Sequence, residues 1–299
     1  MTQATQTATT SARNRIGAHA LVWVGGWNES QCRTAITRTA ECGYDLIEMP
    51  VLDPAAIDVD MTRRVLEENG LGVACSLGLA VDTDISSEDD ATVARGERLL
   101  RDALGVARDV GADYLGGVLF SALHKYSRPA TRRGRANAAA VIRRLAEEAA
   151  ASDITLGLEV VNRYESNLLN TADQALAFID EVAADNVTVH LDTYHMNIEE
   201  ADFAEPVRRC AHRLGYVHVG ESHRGYLGTG TVDFDQLFAT LADIGYTGTI
   251  TFESFSSAVV DPVLSNTLAI WRDPWQDSMD LARHAHAFVA ERLPAAQTA

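Results

Sequence analysis

One strand–helix–strand unit is predicted by residues 155–195, TLGLEVVNRYESNLLNTADQALAFIDEVAADNVTVHLDTYH. Its two ends, 155–161 and 187–195, are short apolar and β-branched runs of the kind that form buried strands. Between them Ala172, Leu176 and Ile179 recur at helical spacing behind Thr171, a residue type favoured at helix N-caps. Two strands joined by a helix in this way normally pair in parallel.

The same pattern occurs eight times along the chain. The predicted strands are 16–23, 45–50, 72–79, 114–120, 155–161, 187–195, 214–221 and 247–254. Gly43, Gly70, Gly111 and Gly245 precede strands where a left-handed helix C-cap is expected. Eight such units predict an α/β fold, the (β/α)8 TIM barrel. A doubly wound sheet is the main alternative, but no G-x-G-x-x-G follows the first strand to support its dinucleotide-binding form.

Composition limits the domain number and the partners. At 299 residues the chain can form one barrel, so we expect a single catalytic domain over 16–299 behind a polar, disordered leader, 1–15. The net charge of −17 disfavours nucleic acid and anionic lipid surfaces as partners. No apolar run approaches twenty residues, so no membrane span is expected.

The cysteines argue against a zinc finger or a disulfide framework. Cys32, Cys42, Cys75 and Cys210 show no C-x-x-C spacing and lie in apolar or helical stretches. We therefore expect buried, reduced thiols and a cytoplasmic protein.

Four successive predicted strands end in residues of metal-ligand type. These are Glu159, Asp192, His218 and Glu253, which are 33, 26 and 35 residues apart. Each separation is close to the roughly 30 residues of one strand–helix–strand step, so the four side chains should meet at the barrel mouth. Each could instead cap a helix or pair with an arginine, but three converging carboxylates repel one another unless a cation is present. Oxygen ligands with one imidazole suit a single divalent ion, Mn²⁺, Mg²⁺ or Co²⁺.

Further polar residues lie on the loops that leave the same strands. Glu165, His195 and Arg224 follow three of the metal-ligand positions and are candidates for hydrogen bonds to a hydroxylated ligand, although each could be a solvated loop residue. The glycine-rich stretch GYLGTGT, 225–231, could cradle a phosphate or be an ordinary loop.

Other strand exits carry apolar or mixed side chains. Candidates for an apolar cavity wall are His19, Trp27, Leu123 and Phe255. Trp23 is better explained by core packing, and Glu48 is either another cavity acid, a helix cap or a partner of a metal ligand.

Five stretches of the chain resemble the ketose 3-epimerases, the group that contains D-tagatose, D-allulose (D-psicose) and L-ribulose 3-epimerases. The stretches are LEVVNRYESNLLNT (158–171), HLDTYHMNIEE (190–200), YVHVGESHRGYLGTG (216–230), FESFSS (252–257) and AIWRD (269–273). The resemblance extends from about Ile16 to Leu293 and implies a xylose-isomerase-like TIM barrel.

The resemblance also implies the chemistry. Glu159, Asp192, His218 and Glu253 take the metal-ligand positions, with Glu159 and Glu253 also the catalytic acid–base pair. Glu165, His195 and Arg224 fall on positions that hold the O1 and O2 end of a ketose. Positions near the far end of the sugar are His19, Trp27, Ser76, Leu123 and Phe255. The expected activity is inversion of C3 through a cis-enediolate, with one Mn²⁺ per subunit as the first choice of metal, in a homodimer or homotetramer.

Three alternative functions remain at this point. A repair endonuclease of the related barrel type would need a zinc cluster and a basic face, which the net charge opposes. An aldose–ketose isomerase would move hydrogen between C1 and C2, and usually needs two metals with additional carboxylates. A catalytically silent sugar-binding barrel would not need the two glutamates as an acid–base pair.

Overall fold

A computed structural model of the chain describes residues 13–260 and 262–293. Eight strands, each parallel to its neighbours, close into a barrel in sequence order. They are β1 Ile16–His19, β2 Leu46–Pro50, β3 Gly72–Leu79, β4 Tyr114–Ala122, β5 Thr155–Glu159, β6 Val187–Asp192, β7 Leu214–Val219 and β8 Thr249–Phe252. The predicted (β/α)8 TIM barrel is therefore confirmed.

Helices follow the strands and cover the outside of the barrel. They are α1 Glu29–Glu41, α2 Val59–Asn69, α3 Asp90–Val110, α4 Arg132–Ala150, α5 Ala172–Val182, α6 Thr193–Glu199, α7 Ala204–Cys210, α8 Phe234–Asp243, α9 Pro262–Thr267 and α10 Ser278–Arg292. Short 3₁₀ turns occupy Ala20–Val22, Pro54–Ala56 and Val81–Thr83. No helix in the described ranges is long and apolar enough to cross a membrane.

The predicted helix ends agree with the structure. Thr171 caps α5 in a capping box with Gln174. The four glycines predicted to close helices, Gly43, Gly70, Gly111 and Gly245, all have positive φ, between 62° and 86°. Glycine adopts this left-handed conformation without the steric penalty of a Cβ atom, so the local prediction is confirmed.

Five predicted strands extend past their observed carboxyl ends, and in the two that do so by three or more residues a polar side chain ends the strand. The first, 16–23, stops at His19, whose Nδ1 accepts a hydrogen bond from the backbone N–H of Leu21 and starts a 3₁₀ turn. The sixth, 187–195, stops at Asp192, whose carboxylate accepts from the backbone N–H of Tyr194 and His195 and caps α6. His195 consequently sits on a helix above the strand end rather than on the strand.

The predicted leader, 1–15, is wrong for its last three residues. The side chain of Asn14 donates to the carbonyls of Tyr246 and Gly248, at 3.0 and 2.8 Å. The carbonyl of Arg15 accepts from the N–H of Ile250. Together with the ion pair of Arg13 and Asp45, these bonds tie 13–15 to the base of the barrel. Residues 1–12 lie outside the described residues.

Aromatic side chains fill the barrel below its mouth. Tyr114 and Tyr216 stack with ring centroids 4.4 Å apart and form a buried cluster with Leu46 and Ala74. At Gly157 on β5, an added Cβ would lie 1.5 Å from the Tyr114 hydroxyl, so only glycine fits beside this ring. The two stacked rings fill the barrel interior below the cavity at its mouth.

The smaller core predictions also agree. All four cysteines are buried and free. Trp23 belongs to the main core, 5% exposed, and its indole N–H donates to the Thr39 hydroxyl at 2.9 Å. Packing therefore accounts for Trp23, as the sequence indicates.

Candidate active site and metal centre

Four buried side chains meet at the carboxyl ends of adjacent strands. Glu159 and Asp192 are the last residues of β5 and β6, His218 lies in β7, and Glu253 directly follows β8. One ligand atom from each lies within 4.8 Å of those of the other three. The structure thus brings together the side chains that the sequence groups as metal ligands, and their role as ligands stays a prediction.

The donor atoms fit a cation. His218 Nδ1 lies 3.6 Å from Glu159 Oε1, 3.6 Å from Asp192 Oδ2 and 3.5 Å from Glu253 Oε1. In the part of the chain that the structure describes, neither His218 Nδ1 nor Asp192 Oδ2 has a hydrogen-bond partner, although both atoms are buried. Buried polar atoms almost always have a hydrogen-bond partner. Two such atoms without one, beside two further carboxylates, therefore suit the ligands of a metal ion.

Glu48 orients the histidine of this group. Its Oε2 lies 2.7 Å from His218 Nε2, which leaves Nδ1 directed at the three carboxylates. Burial acts to raise the pKa of Glu48, but the charge and hydrogen bond of His218 outweigh it and hold that pKa well below its usual range. Of the roles left open by the sequence, partner of a metal ligand is the one the geometry supports, since such partners fix ring orientation.

The two glutamates of the group differ in their electrostatics. Burial raises the pKa of Glu253 well above its usual value, against the opposing charges of Arg224 and His218. Burial also acts to raise the pKa of Glu159, but contacts with His218 and the nearby His190 outweigh it and lower that pKa. Two neighbouring carboxyls whose pKa values are moved apart suit a pair in which one carries a proton and the other does not.

Arg224 enters the group from the loop after β7. Its Nη1 donates to Glu253 Oε2 at 2.6 Å and lies 3.5 Å from Asp192 Oδ2. Burial lowers the pKa of Arg224, but these two carboxylates outweigh it and raise the pKa further above its usual value. The arginine is therefore charged and anchored at the edge of the candidate metal centre.

Glu165 and His195 lie on the neighbouring side and share Asn162 as a partner. The backbone N–H of Asn162 donates to His195 Nδ1 at 3.2 Å, so the neutral ring carries its proton on Nε2. That Nε2 lies 3.7 Å from Glu159 Oε1 and 4.0 Å from Glu165 Oε2. The side chain of Asn162 also donates to Glu165 Oε1 at 2.8 Å. Asn162 was not singled out from the sequence, because its partner is 33 residues away.

A cavity above the four side chains extends to the surface. Of the predicted far-end residues it is lined by His19, Ser76, Leu123 and Phe255. Burial lowers the pKa of His19 to about 4, and Nδ1 accepts from Leu21, so its neutral ring offers an Nε2–H near Ser76. A neutral donor beside apolar walls suits loose contact with a sugar hydroxyl.

The prediction that Trp27 lines the cavity is corrected by the structure. The residue is absent from the cavity wall, because its indole N–H donates to the Thr62 hydroxyl at 3.1 Å and its ring packs against the core. The strand-exit position predicted a cavity residue, but the side chain packs against the core beside α2 instead.

The glycine-rich loop 225–231 surrounds a carboxylate of the protein itself. The N–H groups of Gly228 and Val232 donate to the two carboxylate oxygens of Glu221, at 2.9 and 3.3 Å. An added Cβ at Gly230 would lie 2.3 Å from the same carboxylate. Since Glu221 takes the donors that a phosphate would need, the phosphate-cradle interpretation is wrong for this structure.

Some cavity residues were not predicted from sequence. The segment from α9 to Pro274 forms the outer wall with Leu264, Leu268, Ile270 and Trp271. Tyr194 lies on α6 in the cavity, and the buried His190 lies beneath, with its ring centroid 4.1 Å from that of His218. A signal for His190 exists, because alternation along β6 puts it on the same face as Asp192. For the outer wall, the stretch AIWRD (269–273) carries the resemblance to the epimerases, but its spacing does not indicate a cavity position.

Comparison with known proteins places this geometry in a family. The sequence profile of the xylose isomerase-like TIM barrel family matches residues 36–285. A ketose 3-epimerase from Arthrobacter globiformis is 50% identical over 284 residues, which cover 95% of this chain and 98% of that protein. An L-ribulose 3-epimerase from Methylomonas sp. (strain DH-1) is 54% identical over 280 residues, covering 94% and 98%.

A solved structure shows the same likeness in three dimensions. The crystal structure of a D-allulose 3-epimerase from Methylomonas sp. in complex with D-allulose has a TM-score of 0.92 and 53% identity to this chain. The likeness covers 94% of this chain and 98% of the crystallised chain.

Proposed function

Since the chain belongs to the ketose 3-epimerases, carbohydrate epimerases with a xylose isomerase-like TIM barrel, we propose that it inverts C3 of free ketoses. The proposed pairs are D-fructose with D-allulose, D-tagatose with D-sorbose, and L-ribulose with L-xylulose. The observation that carries the proposal is the meeting of Glu159 and Glu253 beside His218, in a cavity open to a small polar ligand.

A divalent ion, Mn²⁺ before Mg²⁺ or Co²⁺, is proposed as the cofactor. Glu159, Asp192, His218 and Glu253 would hold it, as the burial of all four and the unpaired Asp192 Oδ2 and His218 Nδ1 support. When bound, the ion supplies a Lewis acid that polarises the ketose carbonyl. Glu48 would keep the ring of His218 turned toward the ion.

The two glutamates would move the proton. One carboxylate removes the proton from C3, beside the C2 carbonyl, and the electron pair of the C–H bond passes into a cis-enediolate. The other carboxylic acid returns a proton to C3 from the opposite face, so the configuration inverts and the two groups exchange protonation states. The raised pKa of Glu253 and the lowered pKa of Glu159 support unequal protonation of this pair.

Three further side chains would orient the reacting end of the sugar. Glu165, the Nε2–H of His195 and the guanidinium of Arg224 line the same cavity and offer an acceptor and two donors for O1 and O2. The apolar wall with Leu123 and Phe255 would grip the far end loosely. Polar contacts at one end of the sugar and apolar contacts at the other support inversion at C3 together with tolerance of variation at C4 to C6.

The test is NMR of D-fructose and of D-allulose incubated with Mn²⁺-loaded protein in D₂O, repeated after EDTA treatment. Interconversion with deuterium arriving at C3, lost on chelation, is expected. Label at C1 or C2 with an aldose product would identify an isomerase instead. No exchange with these sugars, L-ribulose or D-tagatose would leave a silent sugar-binding barrel.

The assembly is proposed as a homodimer or homotetramer. Light scattering of the purified protein tests it, and a monomer at working concentration would refute it.

A further inference from the structure

The guanidinium of Arg224 lies between two aromatic rings. Its Cζ is 3.8 Å from the ring centroid of Tyr194 and 4.9 Å from that of Phe255. Both rings line the cavity, as does the arginine. A cation is attracted to the face of an aromatic ring within about 6 Å, and the attraction is stronger where water is excluded.

A glycine provides the room for this arrangement. At Gly220, just after β7, an added Cβ would lie 3.1 Å from Arg224 Nη1 and 3.7 Å from Tyr194 Cβ. The arginine head is therefore limited on one side by the Tyr194 ring, on another by Phe255 and on a third by bare backbone. Close limits on all three sides restrict a side chain that otherwise has many rotamers.

The backbone of Arg224 is held as well. Its φ is +60°, a left-handed conformation that is unfavourable for a long side chain and persists only where surrounding contacts impose it. Its N–H donates to the carbonyl of Glu221 at 2.8 Å, and its carbonyl accepts from the Ser254 hydroxyl. The same hydroxyl accepts from the indole N–H of Trp275 at 2.7 Å. A local turn thus holds the N–H of this residue, and a contact from a distant part of the chain holds its carbonyl.

We propose that Tyr194 is a positioning residue for the epimerase reaction, whose ring face holds the Arg224 guanidinium in the orientation that binds the ketose. The inference rests on the proposed function, because that function assigns Arg224 to the O1 and O2 end of the sugar. Tyr194 acts through its ring and not through its hydroxyl, which has no hydrogen bond among those of the described residues. The stack leaves Nη1 bonded to Glu253 in an arginine that lines the cavity.

The test compares Tyr194→Phe, which keeps the ring, with Tyr194→Leu, which removes it. Tyr194→Leu should raise KM about 10-fold and change kcat less than about threefold, because the contact to the sugar exists in both ground and transition states. Tyr194→Phe should keep both constants within about twofold of the parent, since its ring face is as available to the cation. The matched control is Tyr164→Leu, which removes an exposed ring lying 5.5 Å from Lys125 Nζ and outside the cavity wall. This control should change neither constant.

Gly220→Ala gives an independent variant. Its methyl group would meet Nη1 and displace the guanidinium from the other side, so it should reproduce the rise in KM. An equal rise in KM in Tyr194→Phe and Tyr194→Leu would overturn the inference, because the hydroxyl and not the ring would then hold the arginine. An unchanged KM in Tyr194→Leu, or a fall confined to kcat, would also overturn it.

A second readout separates this inference from the proposed function. The NMR signal of the Arg224 Nε–H group is identified by its loss in Arg224→Lys. It should report an ordered side chain in the parent and a mobile one in Tyr194→Leu. If that signal stays ordered in Tyr194→Leu, the positioning role is refuted whatever the activity. If it becomes mobile while the parent epimerises no ketose, the positioning role stands and the proposed function fails.

Discussion

Replacement of Glu48 by glutamine tests how the candidate metal centre is oriented. Glu48 is 1% exposed, and its Oε2 lies 2.7 Å from His218 Nε2. This bond leaves His218 Nδ1 as the atom that faces Glu159, Asp192 and Glu253. The carboxylate also strengthens the imidazole as a ligand, because its charge favours positive charge on the ring. Glu48→Gln removes the charge but keeps an amide oxygen that can accept the bond.

The expected loss follows from these contacts. Removing the hydrogen-bonding partner of a metal-binding histidine typically costs about 10- to 100-fold in metal affinity, or about 1.4 to 2.7 kcal/mol. Since the amide retains an acceptor, Glu48→Gln should lie near the lower figure, with an Mn²⁺ Kd raised about 10-fold. Glu48→Ala should lie near about 100-fold, because it also leaves His218 Nε2 buried without its partner.

The assay is titration calorimetry of Mn²⁺ into EDTA-treated, dialysed protein at constant pH. Glu165→Gln is the matched control, because it removes one carboxylate from the same cavity without touching His218. It should keep the Kd within about twofold of the parent while raising KM for the ketose. A parental Kd in Glu48→Gln would refute the orienting role. An equal loss in Glu165→Gln would show that net charge, and not ring orientation, sets the affinity.

Further predictions concern the proton-transfer pair, pH and the barrel floor. Glu159→Gln and Glu253→Gln should each lower kcat by about 10³-fold or more with an unchanged circular dichroism spectrum, and a near-normal rate would remove that residue from the mechanism. Burial raises the pKa of Glu253. The pKa of His218 is raised as well, because the neighbouring carboxylates outweigh the effect of burial. A metal ion that binds there must therefore displace protons. Mn²⁺ affinity should therefore fall as the pH drops through these raised pKa values, and calorimetry in buffers of different ionisation heat should record proton release, never uptake. Gly157→Ala should lower the free energy of unfolding by about 3 kcal/mol, because its Cβ would lie 1.5 Å from a buried phenol. Gly105→Ala in α3, with nothing within 4 Å, should instead raise it by about 0.5 to 1 kcal/mol in a denaturant titration.

Much of the candidate site could be predicted because it lies at strand ends. Glu159, Asp192, His218 and Glu253 recur at nearly one strand–helix–strand step, and a closed parallel barrel brings such positions to one rim. The convergence therefore follows from periodicity, which is local in the sequence, and from the barrel topology that this periodicity predicts. The predicted leader extends three residues too far for the opposite reason, because the contacts of 13–15 join distant parts of the chain.

Sequence by itself determined the barrel, the order of its strands and the four side chains at its mouth, because apolar periodicity and helix caps act over a few residues. Only the tertiary structure decided which nitrogen of His218 faces the carboxylates, through Glu48, 170 residues away in the chain. It also turned Trp27 away from the cavity and placed the Arg224 guanidinium on the Tyr194 ring. These features depend on buried side chains finding partners across the barrel, and such pairings leave no periodic signal in the chain.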